Sequence, residues 1–478
     1  MQPSAGVPDL SRKQQLLKRH RRNKRLVLVG GVLLLIALGV LVAWWLMPVL
    51  AIAAWIAHEA WFADHLFYSP AEDYQYNFAA EHEVASVRLE DGRLTLAEPL
   101  LLTGGETLVL AVSLKSRWLG RFLDPVVELQ GSESADRQAF ERGVCGVRYL
   151  NLTGLGESVA AGTLSVRGRF CRVIGPPRLW VFRQPDARQQ RVMIIAPHAD
   201  DAELAAFGLY SQAKEAWIVT LTAGEIEADH YRQMGLDTAE AARMKGRLRA
   251  WDSVAVARWG GVPESQCVQL GYFCLQLPAM QAAPDTPVGS READLIDTRL
   301  FRQFNAMPLP GDDGQPTWNN LLEDLRALIL KARPQVVVMP HPAIDPHPDH
   351  ICAQAAVREA LAGLEWQPEV ILGYANHLHD NDRWPMGDAY TGISLPPVFD
   401  GQLNLEPYSL ELPVPTQRDK AMALGMMHDL QPPMPFKRRV RRGLQRLLAG
   451  RRWPAEGENE FFRKAVRRHE LFWRSRDF

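Results

Sequence analysis

No charged residue occurs between Leu26 and Ile56, a run of 31 positions. Such a run cannot be a solvated loop. It exceeds the apolar region of a cleaved signal peptide, which reaches about 15 residues, and about 20 apolar residues already suffice to cross a bilayer. The expectation is an uncleaved transmembrane anchor over residues 26–57. A basic N-terminal segment, residues 1–25, precedes it. Arg12, Lys13, Lys18, Arg19, Arg21, Arg22, Lys24 and Arg25 lie there, with no acid between Ser11 and Arg25. Positive charge is retained on the cytoplasmic side of a span. The expected topology is therefore a single pass through a bacterial inner membrane, with the bulk of the chain periplasmic. Pro48 supplies the alternative: it can divide the run into a hairpin that returns the bulk to the cytoplasm.

Elsewhere the charges balance, with 54 Lys and Arg against 55 Asp and Glu. No global bias toward a polyanionic partner exists, and no groove-reading motif is present, so no nucleic acid is expected. The five cysteines, Cys145, Cys171, Cys267, Cys274 and Cys352, are an odd number and exclude a complete disulfide framework. Cys145–Cys171 or Cys267–Cys274 can pair in an oxidising space; equally, all five can be small buried hydrophobes.

The texture changes twice after the anchor. Residues 80–185 alternate apolar and polar positions in short runs separated by Gly and Asp turns. The hairpin signal Asp91-Gly92 lies between two of them, as a β-sandwich-like module would show. Such a module can be a spacer, a glycan-binding unit or a support for a lid. From Arg191 onward, continuous apolar runs ("RVMIIA", "AWIVTLTAG", "PQVVVMP", "PEVILGYA") alternate with helical segments. That pattern predicts an α/β domain over residues 190–430 with a Rossmann-like, mostly parallel sheet. A Pro/Gly/Asp-rich stretch from Met280 to Trp318 reads as an insertion or flap. Residues 431–478 read as a basic C-terminal tail suited to anionic lipid or phosphate.

Two strands end in unusual chemistry. "RVMIIA" runs into Pro197-His198-Ala199-Asp200-Asp201, and "PQVVVMP" into a segment with His341, Asp345, His347, Asp349 and His350. Ligands of such sheets bind outside the carboxyl ends of the strands. Two histidines and a carboxylate with an open position make a catalytic zinc arrangement. His198 and Asp201, three apart across a helix start, can share one centre, and His350 can complete it. Asp200, between them, can face a water as general base. His347 can polarise a carbonyl oxygen.

These motifs resemble those of the PIG-L/LmbE-like zinc-dependent de-N-acetylases. "APHADDAE" resembles the family's "(A/P)HPDDE", "PHPDH" its H-x-D-H motif, and "VTLTAGE" its "T-x-G-E" signature. The resemblance implies a Rossmann-like fold, Zn2+ held by His198, Asp201 and His350, Asp200 as base and His347 as oxyanion-stabilising histidine. It implies removal of acetyl groups from N-acetylglucosamine-type sugars. Two departures stand out: Ala199 replaces the usual Pro, and Ala202 replaces the usual Glu, with Glu203 one position later. A helix turns about 100° per residue, so Glu203 cannot simply substitute.

The expected protein is a membrane-anchored, zinc-dependent hydrolase of the N-acetyl amide of an amino sugar. Its substrate would be a glycolipid or envelope glycan, such as a lipopolysaccharide core. The competing classes are a glycan-binding scaffold and a metal-dependent phosphoesterase on the same fold. The latter commonly holds two metals about 3.5–4 Å apart.

Overall fold

The computed structural model describes residues 12–64, 66–79 and 82–475; the first eleven residues of the expected basic segment lie outside them. The uncharged run is not one continuous helix. A helix spans Arg12–Leu41, the chain turns at residues 42–45, and a second helix spans Leu46–Ala57. Gln15–Leu41 is long and apolar enough to cross a membrane. Pro48 does not make the break. It sits in the first turn of the second helix, where the missing N–H costs nothing. The two helices fold back on each other. A Cβ at Gly39 would collide with Met47, and the His20 ring lies 5.9 Å from that of Phe67, beyond the second helix.

Residues 83–182 form two antiparallel sheets. One has the order Glu83–Ala85, Cys171–Phe182, Thr107–Ser116, Cys145–Asn151; the other Val87–Glu90, Arg93–Leu96, Ser165–Arg169, Val126–Gln130, Ala135–Ala139. Asp91 and Gly92, both at positive φ, make the predicted two-residue hairpin. Leu110, Leu114, Val127, Leu150, Val166 and Leu179 share one core between the sheets. Hydrogen bonds fasten this module to the rest of the chain. Asn151 Nδ2 donates to Ser409 Oγ at 2.7 Å, and the Ser409 N–H to Thr107 Oγ1 at 2.8 Å.

The α/β domain is built on a seven-stranded sheet. Its order is Cys267–Tyr272, Glu215–Thr222, Arg191–Ala196, Val336–Pro340, Val370–Tyr374, His469–Ser475, Glu406–Glu411. The first five strands are parallel; His469–Ser475 is antiparallel to both of its neighbours, so Glu406–Glu411 runs in the same direction as the first five. The continuous apolar run at Arg191 has a direct cause. Val192, Ile194 and Ala196 enter one core, against the Asp201–Tyr210 helix, while Met193 and Ile195 enter the other, against Trp318–Ala332. All five are fully buried, and each large one contributes about 1.5–3 kcal/mol.

One expectation needs correction: residues 431–475 are not a solvated tail throughout. His469–Ser475 lies inside the sheet, paired with Val370–Tyr374 and with Glu406–Glu411. Several arginines of the segment are satisfied internally. Arg467 is fully buried and donates to the carbonyls of Pro385, Met386, Thr391 and Gly392. All five cysteines are free and four are buried, so neither suggested disulfide forms.

The module, the segment after the two apolar helices and the α/β domain meet at an ion cluster. Asp124 pairs with Arg383 and Arg142, and Asp64 with Arg451 at 2.8 Å. Burial pushes both carboxyls up, but the surrounding guanidiniums outweigh it and hold them below the usual carboxylate range. Their stabilisation is thus complete above the ordinary carboxyl pKa of about 4 and is lost as pH falls through and below it. The melting temperature of the full chain is expected to fall as pH drops below about 4. Arg383→Met should lower it at neutral pH and flatten that acid dependence. A variant melting in parallel with wild type across the range would remove the cluster from the account.

Candidate active site

The chain runs outward from Arg191–Ala196 through two strands on one side, then returns to Val336–Pro340 on the other. The order reverses between these neighbours, which makes their carboxyl ends the crevice where such sheets bind ligands. Both histidine-bearing segments leave from this crevice. Asp201 opens the Asp201–Tyr210 helix, and its Oδ2 accepts the His198 N–H at 2.9 Å. His347 caps the Pro348–Ala362 helix, with Pro348 at a position where no N–H is needed and His350 one turn in.

Three of the predicted residues converge on one point. His198 Nδ1 lies 3.1 Å from Asp201 Oδ2, which lies 3.2 Å from His350 Nε2; the two ring nitrogens are 3.4 Å apart. Ligand atoms about 2.1 Å from a tetrahedral ion stand about 3.4 Å from one another. The triangle is therefore one face of such a coordination shell, formed by donors of the types zinc takes. The His350 Nδ1 faces Asp345 Oδ2 at 2.9 Å, leaving Nε2 toward the triangle. Burial opposes charge on His350, yet Asp201 and Asp345 raise it to about 10. The two carboxylates, Asp201 and Asp345, favour positive charge at this point.

The supporting residues come from distant segments. Asp345, fully buried, accepts the N–H groups of His347, Asn376 and His377. Burial pushes its carboxyl up, but His350 overrides this and draws it down to about 2. Asn376 Nδ2 donates to Asp201 Oδ1 at 2.8 Å. Asp200 is not part of the triangle. Its Oδ1 accepts from Arg249 Nη2 at 3.1 Å, and Arg249 also pairs with Asp429. Arg249 reaches Asp200 past Gly224, whose φ is +62° and whose Cβ would lie 2.4 Å from Arg249 Nε. The glycine of "TAGE" thus leaves room for the arginine. Glu225 of the same motif accepts the Cys274 N–H and the Ser290 hydroxyl, which ties the Met280–Trp318 insertion to the site.

His347 packs its ring 4.9 Å from His198 and 4.8 Å from His350. Burial, then these two imidazoles, lower it to about 3, so its ring is neutral. His341 stays out of the site and packs against Trp473. Glu203 also stays out. It accepts from Tyr210 in the core, where burial pushes it up to about 8, while Ala202 packs in the apolar core. Cys274 and His377 were not anticipated as neighbours, and Asp349 had been given no role of its own. Cys274 and Asp349 bring ligand atoms within 4.8 Å of one another and of His198, and Asp349 Oδ2 lies 3.1 Å from His198 Nε2. His377, beside His347 and His350, is the other imidazole of the cluster.

Fold and donors together describe an α/β domain with a possible His/Cys/Asp metal site at its switch point. Residues 193–361 match the model of the PIG-L family, described as GlcNAc-PI de-N-acetylase. The family is one of deacetylases, which are amide hydrolases. No curated protein matches the chain. One solved structure similar to it is GalB, the 4-carboxy-2-hydroxymuconate hydratase of Pseudomonas putida KT2440. The identity is 13%, over 54% of this chain and 84% of that one, with a TM-score of 0.30. Another is the CBM22-1–GH10 part of a Clostridium thermocellum endo-1,4-beta-D-xylanase, at 9% identity over 59% of each chain and a TM-score of 0.11. Superpositions this loose carry no argument.

Proposed function

We propose that the chain is a membrane-anchored, zinc-dependent de-N-acetylase. It would hydrolyse the N-acetyl amide of an amino sugar in a glycolipid or envelope glycan and release acetate. The observation that carries this reading is the triangle of His198 Nδ1, Asp201 Oδ2 and His350 Nε2, with edges of 3.1, 3.2 and 3.4 Å. When bound there, zinc supplies Lewis acidity toward a water and the acetyl carbonyl. Asp200, steadied by Arg249, takes the proton from the attacking water and returns it to the departing amine. The neutral His347 ring donates an N–H to the oxyanion that develops on the acetyl carbonyl oxygen. Asp345 and Asn376 fix the orientation of His350 and Asp201.

A lipid-borne or envelope substrate, with lipopolysaccharide core as the specific candidate, accords with an apolar helix of spanning length at the N-terminal side. The direct test compares glycans from cells with and without the intact gene by mass spectrometry, alongside acetate release by purified protein. The acceptor should be one acetyl group lighter when the gene is present. Identical glycans, with no acetate released from any N-acetylhexosamine glycan, would refute the reading.

Two-metal phosphoester hydrolysis is the less favoured reading, because the second donor set also draws on His198. One imidazole does not ordinarily serve two ions, so one zinc per chain is expected. Asp345→Asn should lower zinc affinity about 10–100-fold, measured by competition with a chromophoric chelator, with little change in melting temperature of the zinc-saturated protein. Unchanged affinity would mean that Asp345 does not tune His350.

A further inference from the structure

The Phe436–Ala449 helix exposes two large apolar side chains. Three of its polar side chains turn inward: Arg441 pairs with Glu59, Gln445 donates to the Glu59 carbonyl at 3.3 Å, and Arg442 pairs with Glu460. Phe436 and Leu447 turn outward, 81% and 80% exposed, while Val440, Leu444 and Leu448 are half-buried and Ala449 is buried. At about 100° per residue, Phe436, Val440, Gly443 and Leu447 fall within one sector about 60° wide. Lys437 on one side and Arg439 and Arg446 on the other flank this stripe, all exposed. Globular proteins bury such a stripe; here Phe436 and Leu447 are left exposed by the described residues.

What it adjoins identifies its occupant. Glu59, the residue that holds the helix, lies just beyond the second apolar helix of the anchor. The chain there continues through Trp61 and Phe62, the latter 69% exposed. The Trp61 indole donates to the Phe122 carbonyl, and its ring lies 5.8 Å from that of Phe122. Trp118, 71% exposed, lies 5.6 Å from Phe122. Three distant segments thus gather aromatic and aliphatic side chains where the anchor joins the body. Aromatic rings at this level, and an apolar stripe edged with cations, are the two features of side chains that sit at a lipid–water boundary.

We propose that this face docks the body onto an anionic phospholipid surface. The Phe436–Ala449 helix would lie in the headgroup layer beside Trp118 and Phe62. Continuity with the anchor favours a bilayer over a protein partner. Six Lys or Arg among the helix's 14 residues, with no acid, favour anionic headgroups. The helix inserts Phe436 and Leu447 and leaves Lys437, Arg439 and Arg446 at phosphate depth. This inference does not rest on the deacetylase reading.

The test uses the full chain in three environments: an amphipol without lipid, phosphatidylcholine nanodiscs, and nanodiscs of equal phosphatidylcholine and phosphatidylglycerol. Hydrogen exchange reports how readily each segment opens. Amides of residues 436–449 and 118–122 should exchange several-fold more slowly in nanodiscs than in amphipol, most slowly with phosphatidylglycerol. Phe436→Ser combined with Leu447→Ser should abolish the lipid-dependent slowing, while Val192–Ile195 exchange as in wild type, which shows that the fold persists. Equal exchange in all three environments, a doubly substituted chain that still responds to lipid, or a chain that does not enter nanodiscs would each overturn the proposal.

Discussion

Asp200→Asn is expected to lower kcat about 10³-fold while the chain still holds one zinc. His198→Ala or His350→Ala should instead lose the ion, and activity with it. The difference follows from two adjacent carboxylates at one helix start. Asp201 Oδ2 lies in the triangle with His198 and His350, whereas Asp200 Oδ1 faces Arg249. Successive helical positions diverge by about 100°, so the two cannot share a role. Asn keeps the shape of Asp200 and its capacity to accept from Arg249, but it cannot take up a proton. Metal analysis of the purified variants beside single-turnover acetate release separates the cases. Zinc lost equally from all three variants would mean that Asp200 is a ligand and that the proposed base lies elsewhere.

The largest expected loss of stability lies far from the chemistry. Lys420 and Glu470 form an ion pair at 2.8 Å, 1% and 2% exposed at their side chains. Glu470 Oε1 and Oε2 also accept the N–H groups of Gly208 and Leu209. The carboxylate thus ties the C-terminal strand to the end of the helix that Asp201 opens. Lys420→Met removes the cation and strands a buried carboxylate, which should cost about 3–5 kcal/mol. Lys420→Met with Glu470→Gln restores neutrality, retains an acceptor for one N–H and should recover much of the loss. Urea midpoints of the single and double variants decide the matter. If the double variant is no more stable than the single one, the stranded charge is not the source of the loss.

The catalytic motifs were legible because each is local. His198 to Asp201 and His347 to His350 are short stretches at strand ends, and strand ends in a parallel sheet share one rim. The strands were legible from their apolar runs. What holds the site in place was not. Arg249 lies in the middle of an amphipathic helix and reads as a solvated face; only the fold brings it past Gly224 to Asp200. Asn376 and His377 follow a strand that bears no motif. Cys274 resembled any small buried hydrophobe. The C-terminal strand was missed for a different reason. "RRHELFWRS" carries four charged residues and a histidine among nine, and charge density argues against burial unless every group finds a partner. Here Arg467 finds backbone carbonyls, Arg468 finds Glu411 and Glu470 finds Lys420. Such pairings are set by three-dimensional proximity, which no local pattern encodes.

The position of His469–Ser475 between two strands made earlier bears on how the molecule is produced. The sheet's last strand to be made is not its edge. Until the ribosome has passed Arg467, Val370–Tyr374 and Glu406–Glu411 each expose an unpaired backbone edge, and the helix bearing Lys420 has no carboxylate to meet. Assembly of the α/β domain must therefore wait on translation, with the chain open to chaperones or proteases throughout.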